Sequence, residues 1–391
     1  MAQNSNVARF PIDVIRLTAA TTQAPVKRPR EFTCFSYDKN HNLRLDDSSI
    51  KWYYPPQPPA LPANLSAGFD KFDKHDSQDE HLDSLLTAIA HHEQQTNQPI
   101  DAKFVTWRGM MTKFLIAPYP YDDDDGFEMN ATLFQDCIFI EENWVFAAEK
   151  KAKQNSGWKG PISQEEMTFW GYKFETLATI PRPWAETSRE VIENRGDEVV
   201  SNKEQYCSVV RSEIGGKVLC FGGEVDAIWD MKPKEPGAKI NWVELKTSKV
   251  IQSPRDKFQF NKKLMKFWAQ SFLLGVPKIV VGWRDKKGML VSCEEYETKE
   301  IDERVRRERD GGQWPWMPWV CVNFASEILD WIQQVIKADP QQSGVWRIRF
   351  DAKSKVVELF KVEERGHGRI LTDEFVNWRT RLASSNQPQD G

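Results

Sequence analysis

Residues 222–249 read GGEVDAIWD (222–230), MKPKEPGAK (231–239) and INWVELKTSK (240–249). With a side-chain period of two, Glu224 and Asp226 share one face of the first segment, and Glu244 and Lys246 share one face of the last. Pro233, Pro236 and Gly237 lie between them, which predicts an antiparallel hairpin with the charged pairs side by side. Val225, Ala227, Ile228, Trp242, Val243 and Leu245 surround the charges and predict partial burial. One reading is a solvated sheet face in which Lys246 neutralises an acid across the strands. The other follows from charge: carboxylates about 4 Å apart repel by roughly 4 kcal/mol at an effective dielectric near 20, and one lysine offsets one of three acids. A hard divalent cation resolves the excess, and oxygen donors without nearby Cys or His favour Mg2+ or Mn2+ over zinc.

The chain of 391 residues is long enough for one large or two ordinary domains. Hydrophobic residues make up 40% of it, so it is expected to be globular. The 53 basic residues against 57 acidic ones give a formal charge of −4, so any nucleic-acid site must be a local basic patch. The six cysteines form no CxxC pair, which fits a reducing compartment. The start, MAQNSNVARFPIDVIR, lacks the apolar core of a secretion signal, and no run reaches the length of a membrane span. A soluble intracellular protein with no membrane partner is therefore expected. Lys27, Arg28 and Arg30 fit either a nuclear address or a solvated loop.

An N-terminal arm is expected at 1–30, one domain at 31–384, and a flexible tail at 385–391. Leu82, Leu85, Leu86 and Ile89 predict a helix over about 79–93. Phe104 to Ile116 reads as a strand with Arg108 on the face of Thr106, Met110 and Thr112, where the arginine requires a structural carboxylate or an anionic ligand. The segment ATLFQDCIFIEENWVFAAE continues as strands. In EEMTFWGYKFETLATI, Glu175 is hard to explain as core and is a candidate fourth carboxylate. The loop IPRPW (Ile180, Pro181, Pro183, Trp184) either tucks its apolar side chains into its own domain or offers them to another protein. Leu264, Phe267, Trp268 and Phe272 predict a helix ending at Gly275 and Pro277, and Lys263, Lys266 and Gln270 share its opposite face, where solvation is the ordinary role. Arg284 falls on the Val280 and Gly282 face of the strand that follows.

Glu175, Glu224, Asp226, Glu244 and Lys246 have the make-up of a metal-dependent nuclease centre. The span from Asp226 to Lys246 resembles the D…(D/E)xK pattern of the restriction-endonuclease-like superfamily. A more specific resemblance is to the DXO/Rai decapping nucleases, carried by WRG at Arg108, GYKFE ending at Glu175, GEVD, VELKTSK, WAQSFLLGVP containing Gln270, and VVGWR ending at Arg284. That resemblance implies an α+β fold of two packed mixed or antiparallel sheets with surrounding helices. It implies a pair of Mg2+ or Mn2+ ions held by Glu175, Glu224, Asp226, Glu244 and the Leu245 carbonyl. It also implies Lys246 and Gln270 at the scissile phosphate or nucleophile, and Arg108 and Arg284 gripping RNA, with Lys263 and Lys266 on the same helix face as Gln270. The implied substrate is RNA with an immature or noncanonical 5′ end, and the implied product a 5′-monophosphate. The IPRPW loop resembles that of fungal members, which bind the nuclear 5′-3′ exoribonuclease, so a nuclear location is implied. The alternatives are a mainly non-catalytic stabilising partner of that exoribonuclease, and a DNA-directed nuclease.

Overall fold

The computed structural model describes residues 7–57, 60–76, 78–122, 125–308 and 315–385. Its first half contains β1 (Ala8–Pro11), α1 (Val14–Ala19), β2 (Val26–Tyr37), β3 (Leu43–Arg44), β4 (Trp52–Tyr53), β5 (Ala63–Asn64), α2 (Asp83–Thr96), β6 (Phe104–Trp107), α3 (Arg108–Ile116), β7 (Phe127–Phe134), β8 (Cys137–Glu142), α4 (Trp144–Gly157), α5 (Gln164–Ala178) and β9 (Thr179–Ile180). The second half adds α6 (Arg189–Asn194), β10 (Gln205–Ile214), β11 (Lys217–Glu224), β12 (Ala227–Ile228), β13 (Trp242–Lys249), α7 (Pro254–Leu274), β14 (Lys278–Arg284) and β15 (Met289–Glu297). It closes with α8 (Ile301–Arg307), α9 (Pro318–Lys337), β16 (Val345–Asp351), β17 (Val356–Glu363) and α10 (Asp373–Ser385).

Among the described residues the strands form two mixed sheets. The larger runs β1-β17-β16-β7-β8-β6-β11-β10-β2-β3, and the smaller runs β5-β15-β14-β13-β12-β4-β9. Alternation along the strands sets three cores. Phe221 and Ile140 of the large sheet and Val281 of the small sheet share one core with Phe114, Leu264 and Phe324 of α3, α7 and α9. Cys220 and Phe139 face the opposite way, onto Leu85 of α2 and Phe375 of α10. Val243, Leu245 and Val280 of the small sheet turn outward onto Phe169 and Phe174 of α5. The α+β fold with two sheets and surrounding helices is as expected, with α3, α7 and α9 set in the space the sheets share.

Three local expectations are corrected. The expected antiparallel hairpin is present only for Ala227 and Ile228, which pair with Val243 and Trp242 in the small sheet: β11 ends at Glu224 in the large sheet, and Val225 and Asp226 cross over. The segment read as one strand from Phe104 splits after Trp107, and Arg108 starts α3. Met110, Met111, Phe114 and Leu115 repeat at helical spacing, and unbranched Arg, Met, Lys and Leu favour a helix there. The strand reading past Glu142 fails for the same reason, because Trp144 begins α4.

The helices that carry site residues have clear boundaries. Ser163 caps α5 by accepting from the Glu166 amide, and Ser253 caps α7 ahead of Pro254. Gly275 ends α7 at φ 70°, a left-handed conformation that costs glycine little. The segment expected as an arm is packed from Ala8 onward. β1 pairs with β17, Phe10 rests on Phe324 and Trp331, and Leu17 is 1% exposed in the shared core. Most of the expected tail, 386–391, lies outside the described residues. Among the described residues no helix is long and apolar enough to cross a membrane.

The burial of Leu17 predicts that Leu17→Ala destabilises the chain by about 2–4 kcal/mol in a denaturant titration. A cost near zero would mean that the first 30 residues hang free of the core.

Candidate active site

Glu244 is the centre of the charged cluster. It is 0% exposed, in the middle of β13, and its neighbours come from two other directions. Arg108, at the first turn of α3, donates from Nη1 to Glu244 Oε2 at 3.0 Å. Lys246, two residues along the same face, places Nζ 2.6 Å from Oε1 and pairs with it. Of the two partners expected for Arg108, the carboxylate is the one found. The arginine reaches it because Gly223 has no side chain: a Cβ there would meet the Arg108 Cβ and Leu274 Cδ1 at 2.9 Å each.

Asp226 lies on the crossover between the sheets. Its Oδ2 accepts from the Leu245 amide at 2.5 Å, at the point where β12 ends and leaves the β13 edge open. The amide and carbonyl of one strand residue point the same way, so the Leu245 carbonyl also faces the Asp226 side. Lys246 Nζ is 4.0 Å from Asp226 Oδ2. Glu224 arrives from the end of β11 and Glu175 from α5. The five acidic and basic residues read from the sequence, together with Arg108, are thus drawn from both sheets and two helices.

Burial and neighbouring charge act on each group. Burial raises the pKa of Asp226, Glu244 and Glu224 raise it further, and Lys246 offsets only part, leaving it at about 7. Glu175 lies well above the carboxylate range because it is buried beside Asp226 and Glu224. Burial also raises Glu224, against the pull of Arg108 and Lys246. Glu244 is the exception: burial opposes its charge, but Arg108 and Lys246 outweigh burial and hold its pKa below the usual value. Burial disfavours the Lys246 ammonium, yet Glu244 and Asp226 keep its pKa raised, so the lysine stays protonated. Four carboxylates therefore face two cations, a buried excess of two negative charges when all are ionised. The oxygen donors and this excess fit a hard divalent cation held by Glu175, Glu224, Asp226, Glu244 and the Leu245 carbonyl.

Two cavities are lined in part by α5 and α3, the helices that carry Glu175 and Arg108. One, of about 350 Å3, is lined by Lys39, Lys51, Thr176, Ile180, Arg195 and Glu204. The other, of about 410 Å3, is lined by Thr112, Lys113, Glu142, Lys150, Lys266 and Gln270. Lys266 and Gln270 thus share a cavity wall, and burial followed by repulsion from Lys246 lowers the Lys266 pKa. Lys263 is lowered by burial and then by Arg284. Arg284 stacks over the Trp170 ring at 4.3 Å and donates to the Asp285 carbonyl, so its contacts lie away from the carboxylates. Ile180 is 2% exposed and pairs with Trp52 in the small sheet, which corrects its placement on an offered loop. Pro181 is exposed, and Trp184 is 65% exposed.

Sequence reasoning missed three contributors. Tyr172, one turn before Glu175, has its pKa raised to about 12 by burial and then by Glu224 and Glu175. Lys51 draws down the pKa of both Glu175 and Glu224. Lys113 pairs with Glu142 at the wall of the second cavity. For Tyr172, its i, i+3 spacing from Glu175 was the available signal; Lys51 and Lys113 carried none.

The family described as RAI1 like PD-(D/E)XK nuclease matches residues 27–376 of the chain. A protein of Neurospora crassa named decapping nuclease RAI1 is 56% identical over 376 residues, covering 96% of this chain and 88% of that protein. The fold is similar to that of Candida albicans Rai1 in complex with pU5-Mn2+, with TM-score 0.86 and 30% identity over 96% of this chain and 100% of that one. It is also similar to Scheffersomyces stipitis Rai1 in complex with (3′-NADP)+ and calcium ion, with TM-score 0.83 and 29% identity over 95% of this chain and 100% of that one.

The raised acids predict a pH dependence for the metal-free protein. Asp226 moves from 3.8 to about 7 on folding, so between those values the folded state binds more protons than the unfolded state. Stability then falls as pH rises through that window. Metal-free Asp226→Asn is expected to be more stable than the parent by on the order of 1–3 kcal/mol above the window, with the gap closing at about pH 4. Thermal melts in chelator across pH test this, and a variant less stable than the parent throughout would contradict it. Gly223→Ala is expected to push Arg108 from Glu244 and cost about 1–3 kcal/mol in the same melts.

Proposed function

The chain belongs to the RAI1 like PD-(D/E)XK nuclease family, and we propose that it is a metal-dependent hydrolase of RNA 5′ ends. It would convert triphosphate, incompletely capped and NAD-capped ends to 5′-monophosphate. The observation that carries this reading is the excess of carboxylate at Glu175, Glu224, Asp226 and Glu244 over the cations Arg108 and Lys246 that pair with Glu244. The RNA-like and dinucleotide-like ligands and the Mn2+ and calcium of the related Rai1 structures support it.

A bound divalent cation supplies an acidified water and neutralises charge at the phosphorus. The chain's own residues do the rest. Arg108 holds Glu244 ionised and fixed, which positions the carboxylate without spending it on substrate. Lys246 keeps its proton in the metal-free site and would donate to the attacking water or a non-bridging oxygen. For a triphosphate end, the water oxygen bonds to the α-phosphorus, the bond to the α–β bridging oxygen breaks, and pyrophosphate leaves. For a capped end the same attack falls on the phosphodiester that joins the cap nucleotides to the chain. Lys266 and Gln270, with Lys113 and Lys150, offer cations and an amide along one cavity wall for the RNA backbone, and Lys39 and Lys51 do so along the other. Arg284, with Lys263 beside it, extends the basic surface beyond the carboxylates. These lysines make local basic walls, so the −4 net charge of the chain does not stand against RNA binding.

A second role is favoured by the exposure of Trp184 beside Pro181 and Pro183. That loop suits an apolar pocket of a protein partner, the nuclear 5′-3′ exoribonuclease, and a nuclear location follows from that role. The mainly non-catalytic alternative keeps this contact and makes the carboxylate site secondary.

Glu224→Ala and Asp226→Ala are each expected to lower release of pyrophosphate from 5′-triphosphate RNA in Mg2+ or Mn2+ by about three orders of magnitude, with the fold retained. Parallel incubations with GpppN-, methylated-cap, NAD- and monophosphate-RNA and with matched DNA define the substrate. Turnover equal to the parent in either variant removes the proposal. Trp184→Ala is expected to lose the exoribonuclease in pull-down while turnover stays unchanged, and retention would return the loop to a structural role.

A further inference from the structure

We propose that α4 is a hinged lid that closes on a single-stranded RNA chain running between it and α3 and α7; this rests on the proposed action on RNA. Phe146, Ala147, Lys150, Lys151 and Gln154 follow helical spacing along one face of α4, and that face lines the cavity of about 410 Å3. Thr112 and Lys113 of α3 and Lys266 and Gln270 of α7 line the same cavity. Phe146, Lys150 and Gln154 also line a further cavity of about 310 Å3 with Glu149 and Lys153. The ridge these three residues make along the helix therefore has open space on both sides, where a packed helix has core.

The packing leaves α4 loosely held. None of its 14 residues is buried, whereas the 15 residues of α5 include six that are. A helix of that length is marginal in water unless an apolar face is packed. Among the described residues its holds are polar. Asn143 donates to Glu128 Oε2 at 2.8 Å just before the helix. Lys150 donates to the Gly126 carbonyl at 2.8 Å and lies 3.9 Å from Asp125. Near the end, the Gln154 carbonyl accepts from Gln164 at 3.2 Å. Asn143 alone joins α4 to β8, and residues 158–163 join it to α5, so turning at these two joints moves the helix as a unit and leaves both sheets in place.

Charge selects the occupant. Lys113, Lys150, Lys151 and Lys266 line the larger cavity against two acids, Asp125 and Glu142, and Glu142 is already paired with Lys113. Burial and then repulsion from Lys246 lower the Lys266 pKa, with Lys113 and Lys150 adding to the repulsion and Asp125 opposing it. The cavity is thus within electrostatic reach of the carboxylate site, and its cations crowd one another. A polyanion relieves that crowding, and the Phe146 ring offers a platform on which a base stacks whatever its identity. Closure carries Lys150 and Lys151 onto phosphates, and Lys150 exchanges a neutral carbonyl for a charged acceptor.

The test follows amide hydrogen exchange of the full chain, in chelator and again in Ca2+, alone and with a 5′-phosphorylated RNA pentamer whose binding is read by fluorescence anisotropy. Without RNA, the α4 amides are expected to exchange about tenfold or more faster than those of α5, and with RNA bound they are expected to slow by a similar factor. Lys151→Gln, at an exposed side chain, is expected to weaken RNA binding severalfold and to reduce the slope of log affinity against log salt by about 0.7. Lys150→Gln combined with Lys151→Gln is expected to double that change in slope, at a thermal midpoint near the parent's. The lid is overturned if α4 exchanges as slowly as α5 without RNA, if it gains no protection while RNA is bound, or if the double variant keeps the parent's affinity and salt slope. Failure of the parent to bind the pentamer in either condition overturns it too. Protection of α4 by RNA in a parent that releases no product in Mg2+ or Mn2+ upholds the lid and removes the hydrolase reading.

Discussion

A carboxylate with no exposure to solvent has to be paired, and Glu244 is paired by a residue from another element and a neighbour on its own strand. Much of the architecture around it serves that pairing. β6 delivers the start of α3 beside β11, so that Arg108 emerges level with β13. Gly223 clears the space for the arginine, and the bare β13 edge past the Ala227–Val243 pair admits Asp226 to the Leu245 amide. The cost of burying so much like charge falls on the metal-free protein. Three of the four acids have raised pKa values, while Glu244 alone is favoured in its ionised form. The site is thus a region where stability has been set aside for binding.

The chemistry of the site was easier to read than its scaffold. Glu224, Asp226, Glu244 and Lys246 stand out because charge among apolar residues needs a partner, and Glu175 stands out in α5 for the same reason. Their geometry was misread because a period of two cannot be told from a turn or a crossover over so few residues. GEVDAI alternates as a strand should, yet its first residues belong to one sheet and its last to the other. The start of α3 also alternates over four or five residues, and only the longer pattern through Leu115 reveals the helix. Ile180 was uncertain for a different reason: two prolines after it hide the strand pairing with Trp52, which comes from more than a hundred residues earlier. Lys51 and Lys113 look like any surface lysine, and only the folding of distant segments beside the cluster gives them a role.

The two cavities differ in what they can accept. The one beside Gln270 is walled by α3, α4 and α7 and carries lysines on several elements, as suits a phosphate backbone running past the site. The one beside Thr176 is lined by Thr176, Thr179 and Ile180 of α5 and β9 and by Lys39, Pro181, Val199 and Glu204 of connecting segments, which are the parts of its lining that tolerate change most readily.

The crossover at Val225 and Asp226 also bears on where the full cluster can exist. Glu224 is placed by the large sheet, Glu244 by the small sheet, and Asp226 by the two-residue bridge between them. The large sheet itself is incomplete until β16 and β17 join it to β1, at the far end of the chain. The three acids lie within 21 residues of chain, yet each takes its place from a different part of the scaffold, so the full cluster exists only where the two sheets are joined.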